Sequence, residues 1–359
     1  MVDVKMRWWD LRRGDLLALT EQAPIYVYND ETMNEIFFDL LSMDALQGIY
    51  SPYGLNPHPR MLQKAFELGA SFRCNSRDQI SCLKRMFPRI APERLCLLAG
   101  SARDRADQHA VDSGVQVGMR IPDTQNKSPG LFGSRDVFAF TDMVSGPRAA
   151  SLSQKEVEGL YVGLESRFFR PGRRNEKLRL FEKLPHCFPN MAKLIVGNAV
   201  DLPGVVPAQK MDMLQLEALL EVIQDALPEV QLFLEPPAAW VAHAGGLLIR
   251  VVDFNTPDAV GPTGIRLNVY PTCLASIRDS EDPWVVSGVN LSRPDEQDLV
   301  LRCFPSKDWQ VEGGRVEAGD MLFLTHMGAH GPGEVRTATG RNGLPEHYLR
   351  ARSMCPVRL

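Results

Sequence analysis

The sequence predicts an α/β protein in two parts: a parallel sheet crossed by helices, then a second, mostly antiparallel β domain. Two observations carry this. Short apolar runs at 47–52, 95–99, 116–119, 160–164, 193–197 and 231–235 alternate with helix-length stretches at 32–45, 60–68, 78–87, 153–159 and 211–227. Strands alternating with helices imply parallel pairing through right-handed crossovers. After Gly246 the pattern changes, and Leu247–Asp253, Ile265–Tyr270 and Asp320–Thr325 read as strands joined by Gly/Pro loops with no helix between them.

In chain order, Ala23-Pro24-Ile25-Tyr26-Val27-Tyr28 reads as a strand that joins the β domain. The first strand of the parallel sheet runs into Ile49-Tyr50-Ser51-Pro52-Tyr53-Gly54-Leu55-Asn56-Pro57-His58-Pro59, and an amphipathic stretch follows from Met61 to Leu68. Asp123–Gly130 is polar and rich in breakers, an exposed loop. Leu160-Tyr161-Val162-Gly163-Leu164 is a strand, and Arg167–Arg179 after it packs six basic residues into thirteen. A helix over Met213–Ala226 then separates the strand at Leu194–Val196 from the one ending at Glu235.

The chain has 359 residues, 44% hydrophobic and 23% charged, ordinary globular material with apolar content for one barrel-sized domain and a smaller one. A net charge of −4 argues against nucleic acid or an anionic membrane as a general partner. No run of about eighteen apolar residues occurs, and Met1–Gly14 lacks the apolar core of a signal peptide. The expectation is a cytoplasmic protein. Its 7 cysteines are scattered without a Cys-x-x-Cys, which reads as free thiols in a reducing compartment.

Several strings resemble the landmarks of the alanine-racemase-like, fold type III pyridoxal-phosphate decarboxylases, a family that includes diaminopimelate and ornithine decarboxylase. The segment Ile49–Pro59 resembles the family's first strand, and Leu68–Asp78 its second. Leu232-Phe233-Leu234-Glu235-Pro236-Pro237-Ala238 resembles a Glu-Pro-Gly-Arg strand end. Trp284–Leu291 resembles the strand before a Cys-x-x-x-Asp motif, Gly319-Asp320-Met321-Leu322 a Gly-Asp-x-Leu, and Gly328-Ala329-His330-Gly331 a Gly-Ala-Tyr-Gly. Gly340-Arg341-Asn342-Gly343 resembles a Tyr-Asn-Gly. The likeness looks closest to the decarboxylase half of bifunctional aspartokinase–diaminopimelate decarboxylases, which shares the Trp8-Trp9 start and the Asn56-Pro57-His58-Pro59 string.

The resemblance implies a TIM-like (β/α) barrel over 30–246, and a β domain formed by 1–29 and 247–359. The short interval between Tyr161 and Leu194 implies that the barrel lacks one β/α unit, with the family's His-x-Gly-Ser strand lost. Whether seven or eight strands remain is open.

The same comparison implies that the cofactor chemistry has been erased. The lysine that would hold pyridoxal phosphate falls on Tyr53 or Gly54, and neither forms an imine. A phosphate-binding Gly-Gly-Gly turn corresponds to Gly197-Asn198-Ala199, where one glycine survives and Asp201 would repel the anion. The phosphate-side Gly and Arg have become Pro237 and Ala238. The cysteine that crosses into a partner's site falls on Leu291, or on Pro294 if Asp298 is the motif aspartate, and Arg341 and His330 replace two tyrosines.

Other candidates are weaker. His326 and His330 are four apart, a metal-ligand spacing only in a helix, which Gly328 disfavours; no metal is expected. Asp10, Asp15, Asp253, Asp320 and Glu235 are candidate acids without a paired motif. Lys64 sits on a helix, and Lys193 opens a strand and would point from the wrong end of a barrel whose sites gather at the C-terminal face.

The sequence therefore predicts a pseudoenzyme: a decarboxylase-like protein without covalent pyridoxal phosphate. It would act as a noncatalytic assembly or binding partner in amino-acid-derived metabolism, in a context like lysine biosynthesis, as a homodimer or a heteromer with another biosynthetic enzyme. One alternative is a repurposed site for a carboxylated small molecule, with Arg170, Arg173, Arg174, Glu235, His330, Arg341 and Asn342 as its binding residues. The other is an active amino-acid decarboxylase of the diaminopimelate type.

Overall fold

The computed structural model describes residues 7–99, 115–120, 137–140, 157–163, 179, 181–197, 213–236, 238–255, 264–269, 284–293, 298–303, 309–328 and 344–350. Chain contacts divide it into two units. Among the described residues, one unit holds everything up to Ile36 and from Ala238 onward, and the other runs from Phe37 to Pro236. Ahead of the barrel come two short helices, α1 (Trp8–Leu11) and α2 (Arg13–Leu17), then strand β1 (Ile25–Asn29) and helix α3 (Asp30–Leu41).

The second unit is a closed barrel. Its strands, in chain and spatial order, are β2 (Gly48–Pro52), β3 (Ser71–Cys74), β4 (Leu95–Ala99), β5 (Gln116–Arg120), β6 (Val137–Phe140), β7 (Gly159–Gly163), β8 (Lys193–Gly197) and β9 (Gln231–Leu234). Helix α4 (Pro59–Glu67) starts where the His58 side chain accepts from the Arg60 N–H at 3.2 Å, and Pro59 fills a first-turn position where no donor is needed. It buries Met61, Leu62 and Ala65. Helix α5 (Arg77–Met86) is capped by the Ser76 hydroxyl, buries Ile80 and Leu83, and ends on Lys84 and Arg85, whose charges suit the negative helix terminus. Helices α6 (Leu184–Cys187) and α7 (Met213–Ala226) precede β8 and β9.

β7 and β8 are buried on both faces, as parallel strands covered on each side are. Leu160, Val162, Leu194 and Val196 alternate with Tyr161 and Ile195, and the latter pair joins Tyr50, Cys96, Leu98 and Phe233 in one core cluster. β7 pairs directly with β8 in parallel, from Gly159↔Lys193 to Gly163↔Gly197, so no strand lies between them. This is where the sequence implies a lost unit. The barrel nevertheless closes with eight strands, because β6 runs antiparallel to both β5 and β7 and fills the wall as the middle of a meander.

The helix expected over 153–159 requires correction at its end. Val157 and Glu158 are not helical, and the Glu158 carbonyl accepts from the Ala192 and Lys193 N–H groups, which commits the following residues to the β7 ladder.

In the first unit, β10 (Gly245–Asn255), β11 (Gly264–Leu267), β12 (Trp284–Asn290), β13 (Leu299–Cys303), β14 (Trp309–Glu312), β15 (Met321–Thr325) and β16 (Glu346–Leu349) join β1 in the order β11-β14-β13-β12-β15-β10-β1-β16. β11 also pairs with the far half of β10, so β10, β11, β14, β13, β12 and β15 close on themselves. Every pairing is antiparallel except β1 with β16. Helix α8 (Ala238–His243) leads into β10.

The Trp8-Trp9 pair anchors this core: Trp8 stands edge-on to Phe323 at 5.4 Å and donates its indole N–H to the His243 carbonyl at 2.8 Å. Gly246 is required by that packing, because a methyl there would meet the Phe323 ring at 2.1 Å.

Candidate functional site

Sites in parallel barrels gather where the strands end, because the loops that follow can carry chemistry without disturbing the core. At that end Arg73, on β3, and Glu235, just after β9, are joined by a fork of two hydrogen bonds. Nε donates to Oε2 at 2.6 Å and Nη2 to Oε1 at 2.9 Å. The third guanidinium nitrogen donates to Asn75 Oδ1 at 2.6 Å. β2 pairs with both β3 and β9, so the ion pair spans its end.

Glu235 is 3% exposed. Burial works against the Arg73 charge, but the Glu235 carboxylate outweighs it and holds the guanidinium protonation above its ordinary value. A bidentate, charge-assisted pair of this kind engages both carboxylate oxygens and fixes their orientation.

Around this pair the structure places several sequence-predicted positions at the same end. Tyr53 follows β2; its N–H donates to the Arg73 carbonyl at 2.9 Å, and its phenol bonds the Cys82 thiol, which also accepts from Arg85 at 3.1 Å. Burial, with help from the neighbouring thiols, pushes the Tyr53 phenol up to about 12. Gly54, next to it, has no heavy atom within 4 Å of where a Cβ would stand. Gly197 ends β8, where a methyl would lie 2.2 Å from the Tyr161 hydroxyl, so the tyrosine ring occupies the space beside the one surviving glycine. None of the described residues that end or directly follow the strands here, Tyr53, Gly54, Asn75, Gly163, Gly197 and Glu235 among them, is a lysine.

Leu291 lies elsewhere. It is 3% exposed in the core cluster of the β unit with Trp8, Trp9 and Phe323. Ala238 is the first residue of α8. Asn198, Pro237, His330, Arg341, Asn342, Arg170, Arg173 and Arg174, together with Pro294 and the 123–130 loop, lie outside the described residues.

Each candidate acid is taken up by an arginine. Asp10 meets Arg7 at 2.7 Å, Asp253 meets Arg266 at 3.2 Å, Asp320 meets Arg293 at 3.0 Å, and Asp15 pairs with Arg12. His326 has φ +61° and is not helical, so no helical His-x-x-x-His face forms. Its Nε2 instead lies 3.1 Å from His243 Nδ1. Among the described residues no group of three or more His, Cys, Asp and Glu converges as a metal site would, and no helix is long and apolar enough to cross a membrane.

Sequence reasoning missed Arg73. The available signal was a charged residue in the inward register of a four-residue strand, flanked by the fully buried Phe72 and Cys74.

Comparison of folds finds the same architecture in solved decarboxylases. The chain aligns with a lysine/ornithine decarboxylase of Vibrio vulnificus complexed with cadaverine (TM-score 0.65, 14% identity, 98% of this chain and 99% of that one). It also aligns with a lysine decarboxylase of Selenomonas ruminantium (TM-score 0.64, 14% identity, 95% and 96%). A third match is the arginine decarboxylase of Paramecium bursaria Chlorella virus bound to agmatine (TM-score 0.62, 13% identity, 94% and 100%). At such identity the likeness is one of fold. No family model and no curated protein sequence matches the chain.

Proposed function

We propose that this chain keeps the decarboxylase fold without its cofactor chemistry and serves as a noncatalytic binding or assembly partner in amino-acid-derived metabolism. The observation that carries this reading is the Arg73–Glu235 fork. Pyridoxal enzymes need a lysine for the imine and a polar partner for the ring nitrogen. Here the described strand ends carry no lysine, and the one buried carboxylate there already has both oxygens on a guanidinium. With Tyr161 against Gly197 as well, these residues do not fit the cofactor.

We further place its ancestry nearest the diaminopimelate decarboxylase half of the bifunctional enzymes, on the Trp8-Trp9 and Asn56-Pro57-His58-Pro59 strings. Both have structural work that would keep them after catalysis is lost. The tryptophans hold the β core, and Asn56 Oδ1 accepts from the His58 N–H at 2.9 Å where α4 begins. As an assembly subunit the chain would pair with itself or with another biosynthetic enzyme.

The test is an absorbance titration of the purified protein with pyridoxal phosphate, before and after borohydride, followed by peptide mapping. The expected result is no saturable imine band and no stoichiometric reduced adduct. A one-to-one pyridoxyl adduct on any lysine would overturn the proposal.

A further inference from the structure

At the opposite end of the barrel, Lys193 opens β8 and turns its side chain inward. Its Nζ lies 2.5 Å from the Tyr50 hydroxyl and 2.6 Å from Gln116 Oε1, and it stands over the rings of Tyr50 and Phe233 at 4.7 and 4.6 Å from their centroids. The Tyr50 hydroxyl reaches the same Gln116 oxygen at 3.2 Å. Every one of these partners is neutral, and the nearby Cys96 is kept as a thiol by complete burial. Among the described residues no carboxylate pairs with Lys193. Lys193 as a whole is half-buried.

An amine so placed gives up its proton more readily than an exposed lysine. Two aromatic faces favour an ammonium by about 0.5–2 kcal/mol, but desolvation without a counter-charge works the other way and is the larger effect. The lysine is accordingly pulled down to about 8 by burial. The free-amine form held beside a phenol O–H is the arrangement that makes a lysine a nucleophile, and a value of about 8 gives that form a larger share near neutral pH than an ordinary lysine has.

We propose that Lys193 is a nucleophilic amine site that condenses with small uncharged aldehydes entering from the N-terminal end of the barrel. The nitrogen lone pair attacks the carbonyl carbon, forming the C–N bond while the carbonyl π pair moves to oxygen. That oxygen takes a proton from the Tyr50 hydroxyl. One of the two N–H protons then returns to the Tyr50 oxygen, which passes it to the carbinolamine hydroxyl; that hydroxyl leaves as water as the C=N bond forms, and the second N–H proton restores the Tyr50 hydroxyl. Amine and aldehyde give imine and water, with no change in oxidation state. The cage selects for neutral aldehydes, because the amine is the one cation among its described members, Lys193, Tyr50, Gln116 and Phe233, and becomes a neutral imine. A phosphorylated aldehyde is therefore excluded here on charge, independently of the Arg73–Glu235 end.

The test is competitive reductive labelling of the folded wild-type chain with glycolaldehyde and cyanoborohydride at pH 7.5, quantified per lysine by peptide mass spectrometry. Lys193 should be modified about tenfold or more faster than Lys64 and Lys84 on α4 and α5, as expected for an amine with a lower proton affinity. Tyr50→Phe should slow labelling of Lys193 alone, and Lys193→Arg should remove that adduct. Labelling of Lys193 at the rate of Lys64 and Lys84 would overturn the inference, and that comparison needs no variant to fold. Pyridoxal phosphate in the same assay should leave Lys193 unlabelled. Its capture there would remove the charge selectivity proposed here, whereas failure with glycolaldehyde leaves the reading of the other end untouched.

Discussion

Arg73 and Glu235 close on each other across the end of β2 through two N–H···O bonds of 2.6 and 2.9 Å, a pairing that makes each indispensable to the other. Removing one partner of a buried pair strands the other charge and costs about 3–5 kcal/mol, whereas replacing both with apolar groups is often neutral or stabilising. Arg73→Met and Glu235→Met should therefore each lower unfolding free energy by about that amount in urea titrations. The double variant should recover to within about 1 kcal/mol of the parent. Additive losses would mean that the two residues act separately.

Asp320 gives a prediction on pH. It accepts from Asn290 Nδ2 at 2.8 Å, the Glu317 N–H at 2.8 Å and Arg293 Nε at 3.0 Å. Partial burial opposes its ionisation, but these donors outweigh it and hold the carboxyl below its ordinary value. A depressed carboxylate contributes stability above its unfolded pKa and loses it as pH falls through the folded one. Asp320→Asn should thus unfold more readily at pH 7, and its difference from the parent should shrink below about pH 4 in acid titrations followed by circular dichroism. An undiminished gap at pH 2 would show that shape, not charge, matters there.

Much of the barrel was legible in the sequence because apolar runs such as Leu95–Ala99 and Lys193–Gly197 are short and bounded. Strand β6 was not, since Val137–Phe140 is only four residues long and its role comes from pairing antiparallel with two strands on either side. The positions at the ends of β2, β8 and β9 could be named from motifs. The Arg73–Glu235 pair could not, because its members are 162 residues apart and only barrel closure brings their strands to either side of β2. Lys193 was read correctly as standing at the N-terminal end. What the sequence lacked was the inward register that sets it between Tyr50 and Gln116.

That register makes Lys193 a liability to the fold in its protonated form. Burial pulls its pKa down to about 8, while in the unfolded chain it keeps the ordinary value of 10.5. Between those values the unfolded chain binds more protons than the folded one, so this residue's contribution rises with pH across that window; below it the full penalty is present. Replacing the amine with a neutral side chain of similar length removes the penalty. Lys193→Met should accordingly be more stable than the parent at pH 7, by on the order of 2 kcal/mol. That advantage should decline from pH 8 upward and be gone near pH 10.5 in urea titrations of the two proteins side by side. A constant advantage across that range would trace the gain to packing of the methionine, and a loss of stability at pH 7 would mean that the ammonium over the Tyr50 and Phe233 rings supports the fold instead of straining it.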